Sequence, residues 1–158
     1  MFHLAHISDV HLSPLPDVSI AELFSKRITG YVNWRMNRAK TQRANVLQPP
    51  IADIEATKPD HIAISGDLVN LALNAEFDAS LSWLKSIGTG EHVSVIPGNH
   101  DAYVPGALTK ACAKWRDYMK SDSETKGFPF VRQTAPLLSS VCPQPLQHCL
   151  LWQAAFSA

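Results

Sequence analysis

Three short apolar runs limit what this chain can fold into. They are "FHLAHISDV" at residues 2–10, "HIAIS" at 61–65 and "HVSVI" at 92–96. Each is rich in aliphatic and β-branched residues and is too short to be a helix that buries one face. Between them lie segments of helical length that carry helix-start and helix-stop signals. Strands that alternate with helices can bury their surfaces as a mainly parallel sheet, so the expected class is α/β. Residues 2–10 read as a buried strand, with Leu4, Ile7 and Val10 near its end.

Ser19 and Glu22 have capping-box spacing and open a helix with a stripe of Leu23, Phe24, Ile28, Tyr31 and Val32. Lys26, Arg27, Arg35, Arg38, Lys40 and Arg43 dot this region and read as a solvated basic face. A helical stretch over 42–57 is interrupted at Pro49 and Pro50, and Pro50 suits the first position of a restarted helix. Asn74 precedes a helix carrying Phe77, Leu81 and Leu84. Pro105 opens another with Leu108, Cys112, Trp115 and Met119 along one side. There is no internal repeat.

Each apolar run is followed by residues of metal-ligand type. These are Asp9-Val10-His11, Gly66-Asp67 and Gly98-Asn99-His100-Asp101. The carboxyl ends of parallel strands share one edge, where ligands bind, so the three clusters should converge on one cleft. Asp9 and His11, two apart on an extended chain, would project to the same side. Gly66 and Gly98 let the backbone turn sharply and keep the approach to an ion clear. Mixed carboxylate, imidazole and amide donors suit Mn, Fe or Zn better than Ca or Mg. A carboxylate such as Asp67 could bridge two ions about 3.5–4 Å apart, the arrangement used for in-line displacement at phosphorus. An imidazole beside a carboxylate, as His100 is beside Asp101, is a usual form of an acid–base histidine. His3, His6, His61 and His92 lie in or beside strands and read as structural.

The segments "DVH", "GDLVN" and "GNHD" resemble the first three motif blocks of the calcineurin-like metallophosphoesterases. The basic helix between the first two is similar to that of the bacterial branch with cyclic-nucleotide phosphodiesterase-like enzymes. The resemblance covers residues 1–132 and implies the N-terminal part of a four-layer αββα sandwich. It implies two divalent ions (Mn, Fe or Zn), with Asp9 and His11 on the first, Asp67 bridging and Asn99 on the second. It implies catalytic roles for His100, which would protonate the leaving oxygen or stabilise the phosphoryl charge, and for Asp101, which would orient His100. The implied activity is metal-dependent hydrolysis of a small phosphoester, either a monoester or a cyclic-nucleotide-like diester.

Residues 133–158 depart from this pattern, for they contain no Asp, Glu, Lys or Arg. The family pattern continues with an isolated His, a Gly-His-x-His block and a second sheet. After His100 this sequence has only His148, in "LQHCL", and the second sheet is expected to be absent. "VCPQPLQHCLLWQAAFS", residues 141–157, can be back-translated into codons whose other frame encodes a more family-like string. The expectation is therefore a truncated family member with an out-of-frame tail, following a base shift near residues 135–139. The second metal position would then be weak, and the chain weakly active or inactive. The competing expectation is an inactive remnant or a non-catalytic metal-binding module.

Other classes are disfavoured. The formal net charge is zero at pH 7, which removes bulk attraction to nucleic acid. No apolar stretch approaches the length of a membrane span, and residues 1–12 lack the basic start and apolar core of a secretion signal. Cys112, Cys142 and Cys149 show no metal-type spacing and suit the reduced thiols of a cytoplasmic protein. A dinucleotide-binding domain would carry G-x-G-x-x-G after the first strand, and none is present. The expected partner is a small substrate rather than nucleic acid or membrane, with the oligomeric state open.

Overall fold

A computed structural model describes residues 2–23, 27–38, 47–122, 130–134, 137–141 and 153–156. The three apolar runs form β1 (Leu4–Ser8), β2 (His61–Ser65) and β3 (Val93–Ile96). They lie in the order β1-β2-β3, both pairs parallel, with Ile7 opposite Ile64 and Ile64 opposite Val95. The mixed α/β class with a parallel sheet is therefore present.

β2 is buried along its whole length, as befits the central strand. β1 is not the buried strand expected. It lies at the sheet edge, where Ala5 and Ile7 are half-buried while Leu4, His6 and Ser8 are exposed. One face of an edge strand is covered here and the other is open, so its pattern alternates.

The helices are α1 (Ile20–Leu23), α2 (Arg27–Asn33), α3 (Gln48–Thr57), α4 (Asn74–Ile87) and α5 (Ala107–Lys114). α2 continues as a π turn over Trp34–Arg38. Ser19 caps α1 as its sequence suggests, with the Glu22 amide donating to its Oγ at 3.4 Å. α3 starts one residue before Pro49, so both prolines fall in its first turn, where no intrahelical donor is needed. α4 and α5 cover the sheet through Phe77, Leu84, Ala107 and Ala111. Trp115, just beyond α5, packs on Phe77 with ring centroids 5.7 Å apart and donates its indole N–H to Ser80 Oγ at 3.0 Å. The expected side of Leu108 and Cys112 is only half-buried. Ala107 and Ala111 make the contact instead, because small residues let α5 approach closely.

Two further expectations are overturned. Ile28 and Val32 do not face the core but are 53% and 47% exposed, because α2 turns Gly30, Tyr31 and Trp34 inward. Phe24, Cys142, His148 and Cys149 lie outside the described residues. A second sheet is also present: β4 (Phe130–Thr134), β5 (Leu137–Val141) and β6 (Gln153–Phe156) form an antiparallel set in the order β4-β5-β6. The break in the family pattern after residue 132 hid these strands, since ladder bonding uses backbone groups whatever the side chains. No helix among the described residues is long and apolar enough to cross a membrane.

The strand histidines hold structure. His6 Nε2 lies 2.6 Å from Ser65 Oγ, and His61 Nε2 lies 2.9 Å from Ser94 Oγ across the β2–β3 pair. Burial, and then the positive charge of Arg132, push the pKa of His61 below its ordinary 6.5. A depressed imidazole resists protonation in the fold but not in the unfolded chain. Its contribution is therefore intact above 6.5 and is lost as pH falls from there through the folded value. The wild type should lose more stability than His61→Gln between about pH 7 and about pH 5. Equal losses in chemical denaturation would remove His61 from this role.

Candidate metal centre

The three loops at the carboxyl edge of the parallel sheet are tied together by backbone bonds that continue the ladder. The His11 amide donates to Asp67 O at 2.8 Å, that of Leu12 to Leu68 O at 3.0 Å, and that of Gly66 to Ile96 O at 2.8 Å. Asp9, His11 and Asp67 all have left-handed backbone, with φ of 52°, 42° and 50°. Such geometry costs about 1–2 kcal/mol for each non-glycine residue, and its concentration here is typical of functional sites. The extended-chain argument for Asp9 and His11 therefore fails. The loop coils after Ser8, and His11 is the residue of this pair that joins the cluster of possible ligands.

Among the described residues, one cluster gathers ligand atoms closely enough to hold a metal ion. It comprises His11, Asp67 and His100, whose ligand atoms all lie within 4.8 Å of one another. His11 Nε2 stands 3.9 Å from Asp67 Oδ2. The two imidazoles meet edge to face, with centroids 4.9 Å apart. Asp67 also accepts the His100 amide on Oδ1 at 2.7 Å, which fixes the third loop against the second.

The ring orientations are set from behind. His100 Nδ1 lies 2.7 Å from Asn70 O, and His11 Nδ1 lies 3.3 Å from Val69 O. A carbonyl can only accept, so both rings carry a proton on Nδ1 and turn an unprotonated Nε2 toward the cleft when neutral. Metal-ligating histidines show this arrangement, with the outer N–H held by a carbonyl or carboxylate. Tyr103 stacks on His100 at 5.7 Å with planes 6° apart, which further restricts that ring.

Asp101 does not orient His100 as its neighbouring position suggested. Its buried carboxylate accepts the amides of Val69 at 3.0 Å and Gly98 at 2.8 Å, so it braces the two loops that carry Asn70 and His100. Burial pushes its pKa up to about 7, against the opposing effect of the Gly98 and Val69 amides. Asp9 and Asn99 are exposed, and Asp9 is not a member of the cluster.

Several supporting residues were not singled out from the sequence. Glu76, buried in the first turn of α4, accepts the amides of Asn70, Leu71 and Leu73 at 2.7, 3.0 and 2.9 Å. It thereby holds the carbonyl of Asn70 under His100. Its acidic position in a helix's first turn was a readable signal. The carbonyls of Val69 and Asn70 left no sequence signal, because every residue has one.

Gly98 is the point of closest backbone approach. A Cβ there would meet Asp67 Oδ1 at 2.4 Å, Asp67 N at 2.6 Å and Gly66 Cα at 2.7 Å. Two of those atoms are backbone and cannot rotate away. Gly98→Ala should therefore destabilise the fold by about 3 kcal/mol, the upper part of the overpacking range, and weaken metal binding with it. An unchanged melting temperature and metal affinity would show that the loops have slack.

The donors of His11 and Asp67, with the imidazole of His100 beside them, fit one first-row divalent ion such as Zn, Mn or Fe. The calcineurin-like phosphoesterase family model matches residues 2–140. Among curated proteins, no relative matches the chain. The match spans the parallel sheet, its three ligand-bearing loops and the start of the second sheet, and the chain belongs to the calcineurin-like phosphoesterase family.

Proposed function

We propose that the chain is a metal-dependent phosphoester hydrolase whose substrates are small phosphate esters, cyclic-nucleotide-like diesters included. The observation that carries this reading is the His11–Asp67–His100 cluster with both outer ring nitrogens held by carbonyls. A divalent ion bound there supplies Lewis acidity and lowers the pKa of water to about 7.

The protein's own groups do the rest. His11 and Asp67 would hold the ion, and Asn99 would serve a second, weaker position. His100 presents Nε2 to the cleft, and as imidazolium it can pass that proton to the departing alkoxide. Asn70 O keeps the ring aligned throughout, because Nδ1 stays protonated in both states. A cavity of about 230 Å³ beside His100, walled by Gly30, Trp34, Asn70 and Tyr103, takes the alcohol part of the ester.

A second reading is a metal-binding module without turnover. The absence of Asp9 from the cluster favours it, since that leaves fewer donors for a second ion position. Incubation of the purified chain with Mn and p-nitrophenyl phosphate, its diester and a 3′,5′-cyclic nucleotide separates the two. Turnover abolished by chelator supports the hydrolase. Bound Mn with no hydrolysis of any of the three supports the module.

A further inference from the structure

The outward face of α2 and its π turn carries an unexpected pairing of apolar exposure and positive charge. Ile28 is 53% exposed, Val32 47% and Met36 65%. They make up three of the four large hydrophobic residues exposed among the described residues, Leu4 being the fourth. Spaced four apart, they share one side of the helix. Exposed apolar residues scattered singly need no explanation, but an aligned row does.

The row is not the result of a loosely attached helix. On the inner side, Arg27 donates from Nε to Leu71 O at 3.0 Å and from Nη2 to Ala72 O at 2.7 Å. Gly30 sits so close to the protein that a Cβ there would meet Tyr103 Oη at 2.7 Å and Leu71 Cδ2 at 2.9 Å. The helix is pinned against the loop behind the metal cluster, and Ile28, Val32 and Met36 are held away from the core.

The sequence around the row carries charge of one sign. Between Glu22 and Asp53 the sequence has no acidic residue but has Lys26, Arg27, Arg35, Arg38, Lys40 and Arg43, six of the chain's 14 Lys and Arg. Arg27 is committed to the loop carbonyls. Arg35 is exposed and donates from Nη1 to Tyr31 Oη at 3.5 Å, while Lys26, Lys40 and Arg43 lie outside the described residues. An apolar row in a stretch of sequence with basic and no acidic residues is the composition of a helix that lies in the boundary between headgroups and acyl chains. The chain's zero net charge makes this local surplus a directed feature rather than a general stickiness.

We propose that α2 and its π turn bind the surface of an anionic lipid bilayer, with Ile28, Val32 and Met36 entering the acyl boundary and Arg35 at the headgroups. This is a surface contact and not a span, so the want of a membrane-spanning segment does not bear on it. The contact needs both terms, because three apolar side chains give only marginal, reversible partitioning without the basic flank. It places the inner wall of the cavity beside His100, formed by Gly30 and Trp34, on the back of the lipid-bound helix.

The test is flotation of the purified chain with phosphatidylglycerol–phosphatidylcholine vesicles and with phosphatidylcholine vesicles alone. Binding to the anionic vesicles should exceed binding to the neutral ones by about tenfold or more, and high salt should release it. Arg35→Glu should weaken binding by about fivefold or more, from one lost positive charge and one added negative one. The triple variant Ile28→Ser, Val32→Ser, Met36→Ser keeps every charge and should also leave the anionic vesicles. All four side chains are exposed, so the melting temperature of each variant should match wild type, which separates lost contact from lost fold. Wild-type protein that sinks with both kinds of vesicle, or floats equally with both, overturns the proposal. So does a triple serine variant that floats as wild type does, which would reduce the row to a charge effect alone.

Discussion

Asp67→Asn should lower the affinity for Mn by more than about a hundredfold, because loss of a partner one shell further out already costs about 10–100-fold. The substitution is chosen to keep shape. An asparagine Oδ1 can still accept the His100 amide, which Asp67 now holds at 2.7 Å, so the third loop should stay in place. What disappears is the negative charge between the two imidazoles, the one carboxylate of the cluster. Hydrolysis should fall below detection along with the metal. Titration of the variant with Mn, followed by the signal of the free ion, measures this directly. Retained tight binding would remove Asp67 from the metal, and with it the bridging role its position suggests.

His100→Ala should act differently. If His100 hands its Nε2 proton to the leaving oxygen, the catalytic rate at saturating metal should drop by about 10²–10⁴-fold, the range for general acid catalysis. Metal affinity should drop far less, since His11 and Asp67 remain. The geometry makes this a sharp choice, because His100 also lies within the ligand cluster. A defect that excess Mn repairs would make His100 a ligand. A defect that excess Mn leaves untouched makes it the acid.

The parts of this architecture legible in the sequence are those set by local pattern. Apolar runs bounded by glycine and acid gave the three parallel strands, and the strand ends gave the ligand-bearing loops. What escaped depends on distant contacts. The stripe through Ile28 and Val32 has helical period, but periodicity cannot say which side of a helix is the inside. The contacts of Arg27 and Gly30 decide that, and they lie about 40 residues or more from their partners in the loops after β2 and β3. Asp101 next to His100 looked like its orienting carboxylate because sequence adjacency was the only distance available. In the fold, the turn sends Asp101 down to the amides of Val69 and Gly98, and Asn70 O from another loop meets the ring. The strands β5 and β6 escaped for a third reason: the uncharged tail departs from the family pattern, and the second sheet is therefore expected to be missing.

Three loops from distant parts of the chain gather the donors of one divalent-metal site, to which we assign the proposed phosphoester hydrolysis. Calorimetric titration of the purified chain with Mn, paired with the same titration of Asp67→Asn and His11→Ala, tests it most directly. The expected result is saturable binding by the wild type, lost in both variants, with chelator-sensitive hydrolysis following the bound metal. Wild-type protein that is folded, as judged by a cooperative melt, yet binds no Mn, Zn or Fe would contradict the account.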